Sequence, residues 1–434
     1  MKISQYILRN YGILNVMRKK VLIVGNSAKE YALAKIMSKT CDVYVAPGND
    51  GMKEFAVCVD IRETSSQELL EFVLENGIDM TIPVSSAALE TNITEMFTKN
   101  NMQIFAPDRA VVKLLFDKFN AKKNMYKLNI PTPKFGIFEK QAVAWDYIKG
   151  LKKPFVIKNN SSSSAVIFAS PNASKRVLDS MFAEKDSKIL VEDYVYGVPF
   201  GFYTVTDGYK ALPIGSSILY KHSLDGNGGQ LTSGMGACSP NYKLSVSDED
   251  FLMNDIIYKT LDYLEINKVN YVGVLGINGI LSENGNIYIL GYQSFMQDSD
   301  CAGILELLDI DIYTLFESCI LGSFSDEINY VPQKNLSSAS VFLHCRNGIN
   351  TKENVIKNID NLDDDIVVTY TNNVHKNKYL EMEANPGPVV SLTAFGGVPA
   401  SPVKKVYDEV CNINFNGIKY RRDIGKFIEC ETYS

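Results

Sequence analysis

From Lys20 onward the chain alternates short apolar runs with helical periods, and that alternation limits its fold more than any single motif does. Val21 to Val24 reads as a buried strand, Ala28 to Ser38 as a helix and Asp42 to Ala46 as a second strand. The pattern continues with a helix over Gln67 to Glu75, a strand over Asp79 to Ile82, a helix near Leu89 to Thr98 and a strand over Gln103 to Ala106. Apolar strands separated by helices belong to a parallel sheet covered on both faces. The turn after the first strand, Gly25-Asn26-Ser27-Ala28-Lys29-Glu30, has one glycine where a dinucleotide fingerprint needs three, which disfavours a nicotinamide cofactor. Gly25 then supplies a tight turn, and Asn26 or Ser27 caps the next helix. An anion at that helix N-terminus is the open alternative, because free amides and the dipole favour a phosphate there.

A helical segment near Arg109 to Leu128 ends before Pro131-Thr-Pro133, a rigid break that reads as the hinge into a second unit. Strands follow at Phe135 to Phe138, Phe155 to Lys158, Val166 to Ala169, Ile189 to Glu192, Phe202 to Thr206, Tyr271 to Leu281 and Ile287 to Leu290. The segment from Pro154 to Ala169 joins two of them by a short polar loop, with Lys158 closing the first. A lysine at a strand end beside a turn of small residues can grip a phosphate chain. Such loops are usually rich in glycine; here four serines, Ser161 to Ser164, fill it. Between Gly226 and Pro240 lies a stretch with glycines at 226, 228, 229, 234 and 236, which reads as a mobile cover over a site or as an ordinary surface loop. A third unit runs from about Pro332 to the end, with strands at Ser340 to His344, Ile366 to Tyr370 and Val389 to Thr393.

The 434 residues suffice for about three domains. An apolar content of 46% and a charged content of 22% are ordinary globular values, and no apolar run reaches the roughly 18 residues of a membrane span. A net charge of -6, with lysines spread along the chain, argues against nucleic acid and anionic lipid as partners. Eight cysteines without a CxxC pair and three isolated histidines argue against structural zinc and a disulfide framework, and point to a reducing cytoplasm. The first sixteen residues read either as a short extra helix or as a lead before an ancestral start at Met17.

Collinear segments carry a resemblance. In chain order they include Lys20-Val-Leu-Ile-Val-Gly25, Tyr44-Val-Ala-Pro-Gly-Asn49, Asn129-Ile-Pro-Thr132, Pro154-Phe-Val-Ile-Lys158, Val191-Glu-Asp-Tyr194, Ser233-Gly-Met-Gly-Ala237, Tyr271-Val-Gly-Val-Leu275 and Tyr420-Arg-Arg-Asp-Ile-Gly425. Over nearly the whole chain after Met17 the sequence resembles the phosphoribosylamine-glycine ligase family, also called glycinamide ribonucleotide synthetases, of the ATP-grasp superfamily. The resemblance implies an α/β and α+β multidomain fold. Its parts are a Rossmann-like parallel sheet over 18–117, an ATP-grasp domain over 118–330 with a lid at about 130–195, and a small β-rich C-terminal domain over 331–434. It also implies a ligase in which ATP phosphorylates the carboxylate of glycine and the amine of phosphoribosylamine displaces the phosphate.

Carried over by position, Lys118 and Lys158 are the phosphate-contacting lysines, Ser161 and Ser162 lie in the phosphate loop, and Glu192 through Val195 form the adenine segment. Lys221 falls on the basic residue of the substrate loop and Asp298 on an aspartate of the signature segment. Gly25, Asn26, Gly234, Met235 and Gly236 fall on substrate-binding stretches. ATP is the implied cofactor. Magnesium is implied too, yet the family's ligating glutamate and asparagine are Gly291 and Gln293 here, leaving Gln293 as a weak neutral ligand unless Asp298 or Asp300 substitutes. Three readings follow: an active ligase for glycine and phosphoribosylamine, a catalytically silent relative that binds a nucleotide or a protein partner, and a ligase for another acid and amine.

Overall fold

The computed structural model describes residues 18–159, 165–183, 187–324, 330–348 and 354–429. The first sixteen residues, with their two readings, lie outside it. Strands β1 (Lys20–Gly25), β2 (Asp42–Pro47), β3 (Val57–Cys58) and β4 (Met80–Pro83) form a parallel sheet in the order β3-β2-β1-β4. Val21 to Val24 of β1 are fully buried, as an apolar run inside a doubly covered sheet must be. Helix Ala28–Met37 follows at once, its first turn closed by a capping box between Ser27 and Glu30.

Two expected helices are broken. The one near Leu89 to Thr98 divides into Ser86–Leu89 and Ile93–Lys99, where the Thr91 hydroxyl donates to the Ala88 carbonyl and accepts from the Ile93 amide, competing with the helical ladder. The segment Arg109 to Leu128 breaks at Asp117, whose backbone is extended and whose carboxylate accepts from the amides of Phe119 (3.1 Å) and Asn120 (2.8 Å). That cap begins a new helix, Lys118–Lys127, with Lys118 at its first position. The strand expected over Gln103 to Ala106 is reduced to one parallel bridge between Ile104 and Thr81.

After the hinge, β5 (Phe135–Phe138), β6 (Phe155–Asn159), β7 (Ala165–Phe168) and β8 (Ile189–Asp193) make a small antiparallel sheet in the order β5-β8-β6-β7. A second antiparallel sheet of nine strands runs through the rest. It contains β9 (Gly197–Thr206), β10 (Ala211–Leu224), β11 (Gly228–Ser239), β12 (Gly273–Ser282), β13 (Ile287–Gln293), β14 (Ser337–Cys345), β15 (Val367–Tyr370), β18 (Gly387–Gly396) and β19 (Ile418–Lys419). Its order is β13-β12-β9-β10-β11-β14-β18-β15, with β19 beside β14; β16 (Val374–Lys376) and β17 (Met382–Ala384) pair separately. The β11-β14 pairing joins the central sheet to the C-terminal strands, and one apolar core extends from Val21 through Ile214 and Val341 to Ile424. Phe105 stacked on Phe316, with centroids 3.9 Å apart, fastens the first unit to the second.

The glycine-rich stretch corrects an expectation. From Gly228 to Ser239 it is strand β11 rather than loop, with Gly226 in the turn before it; Gly236 has φ +159°, and a Cβ there would overlap the Ser340 carbonyl oxygen of β14. No described helix is long and apolar enough to cross a membrane.

Candidate active site

Lys118 and Lys158 meet at one end of β6. The Lys118 ammonium donates to the carbonyl of Asn159, the residue after Lys158, at 2.6 Å. Burial lowers its pKa, and the Lys158 charge lowers it further. Strands β6 and β8 pair Val156 with Glu192, so Lys158, two residues along, shares the face of Glu192 and reaches it diagonally. Lys158 forms an ion pair with Glu192 Oε2, while Lys122 holds Oε1 at 2.6 Å. Lys122 lies one helical turn beyond Lys118. It also donates to Thr132 Oγ1 and to the Ile289 carbonyl at 3.3 Å, and Thr132 donates to that same carbonyl at 2.8 Å.

The centre of this cluster is dry, with Lys122 1% and Glu192 2% exposed. Burial alone would raise the Glu192 carboxyl, but the Lys158 and Lys122 ammonium groups outweigh it and hold the pKa below its ordinary value. Burial brings Lys122 down to about 8, with Glu192 opposing that shift. Val195, half-buried, lies just beyond β8. Ser161 and Ser162 lie outside the described residues.

Strand β13 leads from Ile289 to the other end of the site. Gly291 pairs with Asn278 and Gln293 with Gly276 on β12. A Cβ at Gly291 would meet no heavy atom within 4 Å, so the space where a side chain would stand is open. Beyond β13, Asp298 accepts from Ser27 Oγ (2.7 Å) and from the Lys29 amide (2.9 Å), tying this segment to the first turn of helix Ala28–Met37. Asp300 is fully buried and accepts from Tyr203 Oη (2.8 Å), Ser217 Oγ (2.6 Å) and the Gln297 amide (2.8 Å). Burial raises its carboxyl despite those donors and the nearby Lys221. Lys221 donates to the Ser233 carbonyl at 2.9 Å; desolvation lowers it to about 8, opposed by Asp300 and Asp298.

The remaining expected residues are dispersed around this end. A Cβ at Gly25, where φ is +140°, would overlap the carboxyl group of Glu30, which is itself buried beneath the turn. The Asn26 carbonyl accepts from Asn49 Nδ2 at 3.0 Å, and Asn49 also donates to the Tyr370 carbonyl at 3.2 Å. Met235 is 1% exposed, and its side chain belongs to the core. Gly234 lies against Ser299 of the signature segment.

Sequence reasoning passed over Lys122, Thr132, Asp117 and the Tyr203–Ser217–Gln297 set around Asp300. Signals existed for two of them. Lys122 stands at i+4 from Lys118, and Asp117 is a capping residue type just before it. Thr132 and Tyr203 carried no local mark, since their partners come from distant strands.

Two family models match the chain: the phosphoribosylglycinamide synthetase N domain over residues 19–114 and the ATP-grasp (A) domain of the same synthetase over residues 116–301. The chain belongs to the phosphoribosylamine-glycine ligase family of ATP-grasp proteins. It is 27% identical over 422 residues to the phosphoribosylamine-glycine ligase of Clostridium acetobutylicum, an alignment covering 94% of this chain and 99% of that one. A crystal structure of the Thermotoga maritima phosphoribosylamine-glycine ligase shares the fold with a TM-score of 0.76 at 22% identity, covering 93% of this chain and 100% of that one. The biotin carboxylase domain of the Hydrogenobacter thermophilus 2-oxoglutarate carboxylase, solved with MgADP and bicarbonate, has a TM-score of 0.68 at 14% identity, covering 92% of this chain and 91% of the other. The small four-stranded antiparallel sheet, the nine-stranded sheet and the parallel N-terminal sheet are thus those of the ATP-grasp ligase family.

Proposed function

We propose that the chain is an ATP-dependent carboxylate-amine ligase of purine biosynthesis that joins glycine to phosphoribosylamine. The meeting of Lys118 and Lys158 at the end of β6, within a family match over residues 116–301, carries this reading. Their ammonium groups take the ATP phosphates, and the backbone from Glu192 to Val195 takes the adenine, with Ser161 and Ser162 in the phosphate loop. One oxygen of the glycine carboxylate attacks the terminal phosphorus and ADP leaves. The amine then attacks the acyl carbon, phosphate departs with that oxygen, and the amine loses one proton. Lys221 and Asp298, on the strand and segment bordering Gly234 to Gly236, face the acid and amine, while Gly25 and Asn26 border the amine from the N-terminal unit. Neutralising charge that grows during phosphoryl transfer is the chief catalytic need, and a closed lid keeps water from the acyl phosphate.

The residues at the end of β13 do not fit a magnesium cradle. Magnesium prefers an octahedron of oxygens anchored by at least one carboxylate. Gly291 supplies no side chain, Gln293 supplies one neutral oxygen, and Asp298 and Asp300 are already engaged by hydroxyls and amides. No step is therefore assigned to a metal held by this strand. The same observation favours a second reading, a catalytically silent relative that keeps the nucleotide grip and acts through a partner protein. A ligase for a different acid and amine is the third.

Glycine-dependent ADP release with freshly made phosphoribosylamine separates the three. Release that needs both substrates supports the ligase proposed. ADP binding with no release under any acid selects the silent relative, and release with another acid only selects the altered ligase.

A further inference from the structure

We propose that Lys122 is a positioning residue for nucleotide binding: by sharing the Glu192 carboxylate, it leaves the Lys158 charge available to a phosphate chain. The proposal rests on the reading of Lys118 and Lys158 as the phosphate grip. Glu192 carries a single negative charge and meets an ammonium group at each oxygen, Lys122 at Oε1 (2.6 Å) and Lys158 at Oε2. Paired with Lys158 alone, it would make a neutral couple, and an entering phosphate would find that cation already spent. With Lys122 at the second oxygen the trio is net positive.

Lys122 cannot itself reach a phosphate. It is 1% exposed, and its ammonium group is ion-paired with Glu192 and donates to Thr132 Oγ1 and the Ile289 carbonyl. Those partners lie on β8, in the hinge before β5, and on β13, so one ammonium group also fixes the lid sheet against the central sheet. The groups facing it are Glu192 from β8 and Lys158 from β6, with an uncharged hydroxyl and carbonyl from the hinge and β13. Burial lowers Lys122 to about 8. Above that pH it loses its proton, Glu192 is left to Lys158, and the grip on phosphate weakens. Arginine at this position would keep its charge.

Calorimetric titration of the full chain with ADP and with adenosine, at pH 7 and pH 9 in magnesium-containing buffer, tests this in the wild type, Lys122→Met and Lys122→Arg. The expected result is that Lys122→Met weakens ADP at least about tenfold, because Glu192 then takes up the Lys158 charge and one charge-assisted contact to phosphate is lost, while adenosine changes less than about twofold. Wild-type affinity for ADP falls from pH 7 to pH 9, and Lys122→Arg falls less. A lysine that serves folding alone would move ADP and adenosine together, which overturns the proposal, as does a folded Lys122→Met that binds ADP like the wild type. If Lys122→Met does not fold, an ADP affinity in the wild type that holds steady across that pH range overturns it. No ADP binding by the wild type overturns the phosphate-grip reading itself.

Discussion

The middle of β13, at Ile289, and its C-terminal end, from Gly291 to Gln293, differ in what they ask of their side chains. At Ile289 the strand offers a carbonyl to Lys122 and Thr132, inside a cluster where each buried charge is paired and desolvation is answered by an opposite charge. At Gly291 the same strand leaves open space where a side chain would stand, and Gln293 beyond it offers one neutral side chain and no carboxylate. A buried ionic cluster tolerates little change, because removing one member strands the others. A solvent-facing ligand position can be lost without disturbing the fold. On the proposed reading of the site, this contrast is what lets a cationic end be kept beside an altered metal end.

Removing the shared carboxylate should have the largest effect. Glu192→Ala leaves the buried Lys122 ammonium group unpaired beside the half-buried Lys158 and should cost about 3 kcal/mol or more, read by denaturant unfolding. A cost under about 1 kcal/mol would mean that water reaches the cluster and that the contrast along β13 is false. Next, Lys118→Met combined with Lys158→Met should weaken ADP about a hundredfold or more in calorimetry, since two charge-assisted contacts are lost, and should lower the unfolding midpoint less than Glu192→Ala does, since Lys122 still pairs with Glu192. Equal ADP binding would place the phosphates elsewhere.

Restoring Gly291→Glu with Gln293→Asn tests the other end. The space before Gly291 should accept the side chain with a stability change within about 1 kcal/mol, and magnesium should then tighten ADP about tenfold more than it does in the wild type. No gain from magnesium would show that the position no longer faces the phosphates. The smallest effect is expected from Asp298→Asn, which weakens acceptance from Ser27 Oγ and the Lys29 amide; a loss of about 1 kcal/mol in unfolding is expected. A loss of ADP affinity instead would assign Asp298 to the nucleotide.

Much of this was legible in the sequence where the signal is local. The run Lys20 to Gly25 declares a buried parallel strand, and Phe155 to Lys158 declares the strand that carries Lys158 near its end. The unforeseen features depend on distant partners. Glycine in β11 reads equally as freedom or as close approach, and the Ser340 carbonyl that decides the matter lies about a hundred residues further along the chain. The break at Asp117 was hidden because apolar periodicity continues across it; only the cap geometry, two amides on one carboxylate, stops the helix. Lys122 looked like one more surface lysine on a helix with several, and its burial follows from Glu192, Thr132 and Ile289 arriving from three separate segments.

A crystal structure of the ADP complex tests the central claim most directly. The account predicts the diphosphate between the Lys118 and Lys158 ammonium groups at the end of β6, with Lys122 still on Glu192 and the adenine along the backbone from Glu192 to Val195. Phosphates found away from both lysines, for example at the first turn of helix Ala28–Met37, would contradict it.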